Sequence, residues 1–210
     1  MTASEGIGLK SSSFFLPGGP SPVDITNDLR SKPAQRLFRL IQARGHEIGL
    51  HGSAAAISEP TLIREQFADL RATVGPSIQG KVGWGGRQHY LAWRSPETWR
   101  AWAHAGLSYD SSYAFPERVG FRAGTCRAFP VFDLQERQQL ELEERPLIVQ
   151  DGTLLHFMGM TGRKGLEHVQ QLSVRCRESA GTLTLLWHNS SFTSRHSRGW
   201  YLEMLAEVRP

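Results

Sequence analysis

The sequence predicts an α/β fold, and three observations predict it. Helical and strand-like segments alternate along the chain, glycines fall at the helix ends, and short apolar runs deliver polar residues at their C-terminal ends. Parallel strands joined by helical crossovers fit a barrel or an open doubly wound sheet. The placement of the polar residues favours the barrel. His51, Arg87, Asp110 and His188 each follow a predicted strand, and functional groups gather at that end of such barrels.

The elements follow in order. Ser12 to Leu16 reads as a short strand, stopped by Pro17-Gly18-Gly19-Pro20. Pro33 to Arg44 is helical, with Leu37, Leu40 and Ile41 on one face and Gly45 as its stop. Glu47 to Leu50 forms a strand that ends at His51. Ser58 and Pro60 open a helix that runs toward Thr73 and stops at Gly75. Val82 to Trp84 is a weak strand. Ser95-Pro96-Glu97 supplies an N-cap serine, a first-turn proline and an acid at the positive end of the helix dipole. Leu107 to Tyr109 is a strand delivering Asp110, and the stretch from Phe115 to Glu144 is irregular and then highly charged. Pro146 to Gln150 is a strand, Gly165 to Ser179 a helix, and Thr182 to Trp187 the clearest buried strand, delivering His188. A last helix runs from about Trp200 to Val208.

A length of 210 residues suits one domain, and 40% hydrophobic residues suffice to build a core. No apolar run is long enough to cross a bilayer, and the N-terminus has no apolar signal region. The basic residues, with net charge +4, are spread along the chain, which argues against a nucleic-acid partner. Cys126 and Cys176 are far apart in sequence and show no CxxC spacing, as in a cytoplasmic chain with free thiols. Cys126 has no evident base beside it and reads as a buried structural thiol. No GxSxG elbow, phosphate-binding GxxxxGK[ST] loop or HExxH is present.

Several residues have the chemistry of a site. His51 leaves its strand before Gly52 and Ser53, where a neutral imidazole suits a metal such as zinc. His46, at the opposite end of that strand, reads as a helix-terminus histidine. Arg87 and His89 follow Gly85-Gly86, where the backbone lets a ligand approach and an arginine orients a carboxylate or clamps an anion. Asp110 reads as a turn aspartate or a partner for Arg122, and Asp151 lies in a Gln-Asp-Gly turn. His188 follows Trp187 at the end of an apolar strand, which suits either a satisfied core histidine or a functional one.

Together, GHEIGLHGS, GGRQHYL, YDSSYAF, GFRAGTC and LLWHN resemble the NodB-type polysaccharide deacetylases (carbohydrate esterase family 4), in a branch associated with surface-polysaccharide biosynthesis. The likeness runs from about Gly8 to the end of the chain. It implies a distorted, incomplete (β/α) barrel and a metal-dependent hydrolase that removes acetyl or other acyl groups from N-acylated sugars or polysaccharide. It also implies a divalent metal, usually zinc. By the resemblance, His51 is a metal histidine, His188 the general acid and Arg87 the residue that orients the base. His89 or Ser53 approaches the place of the second metal histidine, which is Ala55 here. Asp110, Arg122, Asp151 and Trp187 fall in the substrate-binding segments. The likeness also implies that His51, Arg87 and His188 meet at one mouth of the barrel. The family's first strand, which ends in two aspartates, has no counterpart before Gly8, so a single domain (residues 1–210) lacking its first strand is expected. A metal would then be weakly held or absent. The alternative expectation is a non-catalytic carbohydrate-binding relic of the same fold.

Overall fold

A computed structural model describes residues 1–24, 28–75 and 83–208 of the chain. In order, its regular elements are α1 (Thr2–Glu5), β1 (Ser12–Phe15), α2 (Lys32–Ala43), β2 (Glu47–Gly52), α3 (Thr61–Val74), β3 (Gly85–Gln88), α4 (Glu97–His104) and β4 (Tyr109–Asp110). Then come β5 (Phe129–Asp133), β6 (Gln138–Glu144), β7 (Val149–Gln150), α5 (Gly162–Glu178), β8 (Leu185–Leu186) and α6 (Arg195–Glu207). The chain divides into two compact units. One comprises Met1, residues 10–112 and residues 129–144, and the other residues 2–9, 113–128 and 145–210.

The first unit is built on a six-stranded sheet in the order β1-β2-β3-β4-β6-β5. Every pairing from β1 to β6 is parallel, and β5 closes the far side antiparallel to β6. The α/β expectation therefore holds, with a mostly parallel sheet. The barrel implied by the resemblance is not what these pairings draw, because among the described residues β1 and β5 end the sheet as edges.

Local sequence explains the flanking helices. Ser31 caps α2, its hydroxyl accepting from the Ala34 amide, with Pro33 in the first turn. Gly45, at φ 69°, lets the chain turn from α2 into β2 without the steric cost another residue would meet. The buried face of α2 is Phe38 and Ile41, while Leu37 and Leu40 are exposed, so the expected stripe is turned by one residue. Ile63, Phe67 and Leu70 of α3 and Trp102 of α4 complete the core with Ile48, Leu50 and Leu107. Helix α4 begins as expected near Pro96, but the N-cap position is Pro96 and not Ser95. Val82 lies outside the described residues, and the strand expected there is found at β3, further along.

The stretch expected to be irregular contains the β5–β6 hairpin. Its cue is period-two burial, with Leu140, Leu142 and Glu144 facing inward. Asp133 nucleates the turn, its Oδ1 accepting from the amides of Gln135 (2.9 Å) and Glu136 (3.1 Å).

The second unit pairs β7 with β8 in parallel, Val149 opposite Leu185 and Gln150 opposite Leu186. Both strands are shorter than expected, and helix α6 starts earlier. Its own core contains Val149, Leu154, Val169, Cys176, Trp200 and Met204.

Candidate functional site

In the first unit, parallel pairing brings the candidate residues level. His51 lies opposite Arg87, and Gly86 opposite Asp110. His51 and Arg87 belong to the ends of β2 and β3 and do not follow them. Gly85 gives the Tyr109 ring room, since a Cβ there would collide with it.

His51 Nδ1 is 2.9 Å from the Arg87 carbonyl oxygen. A carbonyl only accepts, so the imidazole donates Nδ1–H and carries its neutral-form lone pair on Nε2. His89 Nδ1 is 3.0 Å from Asp24 Oδ1, and the two histidine rings lie 5.0 Å apart between centroids. Asp24 is buried, and Oδ1 also accepts from the Ala54 amide at 2.8 Å. Burial pushes its carboxyl up, but the His89 hydrogen bond and the amides of Ala54 and Ala55 outweigh that and hold it below its ordinary value. An ionised Asp24 accepts, so His89 likewise donates Nδ1–H. Among the described residues, Asp24 Oδ2 and Ser53 Oγ are buried and no hydrogen-bond partner reaches them.

Sequence reading passed over Asp24 because no apolar strand precedes it. Burial beside a histidine 65 residues away is a tertiary fact. His89, rather than Ser53, is the side chain that stands beside His51. His46 is buried at the other end of β2, its Nδ1 accepting from the Ser11 amide at 2.9 Å.

Arg87 is buried. Its Nε donates to the Ser111 carbonyl (2.7 Å), its Nη2 to Ser111 Oγ (2.9 Å), and its guanidinium lies 5.2 Å from the Phe14 ring centroid. Burial lowers its pKa to about 10, against the favourable charges of Tyr109, Asp110 and Glu144. Asp110 is fully buried and accepts from Ser112 Oγ at 2.5 Å. Burial raises it to about 6, with Ser112 and Arg87 opposing. Glu144, not singled out from sequence, is buried beside it and accepts from Trp99 Nε1 at 2.9 Å. This cluster makes a charged interior support and is closed to solvent.

In the second unit, Asp151 and His188 form a pair. Asp151 Oδ1 is 2.6 Å from His188 Nδ1, and Oδ2 accepts from the His188 amide (2.9 Å) and Ser191 Oγ (2.5 Å). Burial acts to raise Asp151, but His188 and Ser191 hold it below its ordinary value. Because the Ser191 hydroxyl donates to the carboxylate and not to the imidazole, this is no nucleophilic triad. His188 is 43% exposed, so its ring is an accessible proton carrier held by a buried acid. Trp187 packs among Trp200, Tyr201 and Phe192, with centroids 5.4, 5.0 and 6.4 Å away. Arg122 donates to the Ala114 carbonyl at 2.7 Å and lies over the Tyr113 and Phe115 rings.

Among the described residues no three His, Cys, Asp or Glu side chains are arranged to hold a metal ion. The donor set fits a divalent ion in part: two imidazoles with fixed tautomers, one braced by a carboxylate. Comparison with family models, curated proteins and solved structures returned no match. No helix of the described residues is long and apolar enough to cross a membrane.

Proposed function

We propose that the protein is a metal-assisted hydrolase that removes acetyl or related acyl groups from the amino sugars of a glycan, as the NodB-type likeness implies. The observation that carries this reading is the His51–His89 pair. Each imidazole has Nδ1 committed to an oxygen acceptor, which is how ligating histidines are oriented at zinc sites. A divalent ion held by His51 and His89 would polarise the acyl carbonyl and a water. Asp24 holds the His89 ring in place. Arg87 acts at one remove: pinned to Ser111, it fixes the backbone whose carbonyl orients His51. The resemblance makes His188 the general acid, and in the second unit Asp151 keeps that ring oriented.

A metal held by two imidazoles alone would bind weakly, and hydrolysis without a general base would be roughly 10²–10⁴-fold slower. The second reading is a non-catalytic carbohydrate binder of the same fold. Titration calorimetry with zinc, paired with acetate release from N-acetylglucosamine oligomers, separates the two. The hydrolase reading expects zinc binding that is lost in His51→Ala and His89→Ala, and slow acetate release that is lost in His188→Ala. Oligomer binding without zinc uptake or acetate release would establish the binder.

A further inference from the structure

The two cysteines, 50 positions apart in sequence, are neighbours in the second unit. Cys126 lies on the 113–128 segment and Cys176 in the last turn of α5. Two consecutive residues hold them together. The Gly181 amide donates to the Cys176 carbonyl (2.8 Å), and the Thr182 amide donates to the Cys126 carbonyl (3.0 Å). A side chain at position 181 would collide with Cys126 Sγ, so the glycine leaves the sulfur its place. The two thiols sit in the same apolar core. A cavity of about 200 Å³ reaches Cys126, lined also by Phe121, Thr125, Arg175 and Glu178. A small oxidant therefore has a route to one sulfur of the pair.

We infer that Cys126 and Cys176 form a reversible disulfide in the folded chain, cross-linking the 113–128 segment to α5 when a peroxide is present. The Cys126 sulfur attacks one peroxide oxygen, the O–O bond breaks, and a sulfenic acid and a water result. The Cys176 sulfur then attacks that sulfenic sulfur, and its hydroxyl leaves with the Cys176 proton as a second water. Sulfur is oxidised, peroxide oxygen is reduced, and no further reactant enters. The order of attack follows from access: the cavity is lined by Cys126 and not by Cys176, so Cys176 is the resolving partner. The cross-link spans the segment that carries Arg122 over the Tyr113 and Phe115 rings, and oxidation would restrain it.

The test treats the full folded chain with hydrogen peroxide in native buffer and follows intact mass, maleimide labelling and a non-reducing peptide map. The expected result is a monomer lighter by two hydrogen atoms, a linked peptide pair containing Cys126 and Cys176, and restoration of both thiols by dithiothreitol. Cys126→Ser and Cys176→Ser should each show no mass loss. The wild-type peptide map decides the matter if either variant fails to fold. Oxygen addition to either cysteine without a cross-link, disulfide-linked dimers, or a bond that forms only in denaturant would overturn the inference.

Discussion

Arg87→Met tests the buried charge cluster most directly. The substitution keeps most of the apolar stem but removes a cation that donates twice to Ser111 and faces the buried carboxyls of Asp110 and Glu144. Taking one partner from a buried charge pair costs ~3–5 kcal/mol, chiefly because the remaining charge is stranded. Most of that cost depends on the ionisation of Asp110. Its folded pKa, about 6, lies above the unfolded value of about 4, so the folded state binds the proton more tightly. Its protonated form is favoured at low pH, and stability falls as pH rises through 6. Without Arg87 the folded value climbs further, and the fall steepens. Urea denaturation followed by circular dichroism should therefore show a gap of ~3–5 kcal/mol between wild type and variant at pH 8. At pH 5 only the lost hydrogen bonds remain, and the gap should shrink to ~1–2 kcal/mol. Equal gaps at the two pH values would refute the coupling between Arg87 and Asp110.

Other outcomes follow from the same structure. On the proposed metal-assisted reading, Asp24→Asn should weaken zinc binding by ~10–100-fold in calorimetry, because His89 loses the carboxylate that orients it. Asp24 is held below its ordinary value, so its contribution to stability is present above about pH 4 and fades as pH falls, which an acid-denaturation series of wild type and variant would show. Asp151→Ala strands the His188 amide and the Ser191 hydroxyl and should cost ~1–3 kcal/mol at neutral pH, read from the urea midpoint. Trp102→Ala removes a fully buried side chain and should cost ~3–5 kcal/mol by the same measurement.

The candidate residues differ in how far sequence could reveal them. His51 and Arg87 were legible because a glycine-flanked strand end has a local signature. Asp24 has none: it does not follow an apolar strand and is defined by His89, contributed by another element. Glu144 was equally hidden, since its stretch read as irregular and highly charged while the alternation that buries it is the signature of a strand. Cys126 was legible as a buried thiol and both cysteines as free ones, but their adjacency was not.

The sequence by itself determined the α/β class, the alternation of helices and strands outside the 115–144 stretch, most helix boundaries and the polar residues at strand ends. All of these are set by neighbours a few positions away, through capping, glycine turns and apolar periodicity. Tertiary structure decided the strand order, the hairpin that completes the six-stranded sheet, and the partners of each histidine: Asp24 for His89, the Arg87 carbonyl for His51, Asp151 for His188. Those pairings join residues tens of positions apart. They form only when packing brings particular side chains together out of water, and no local pattern in the chain encodes that event.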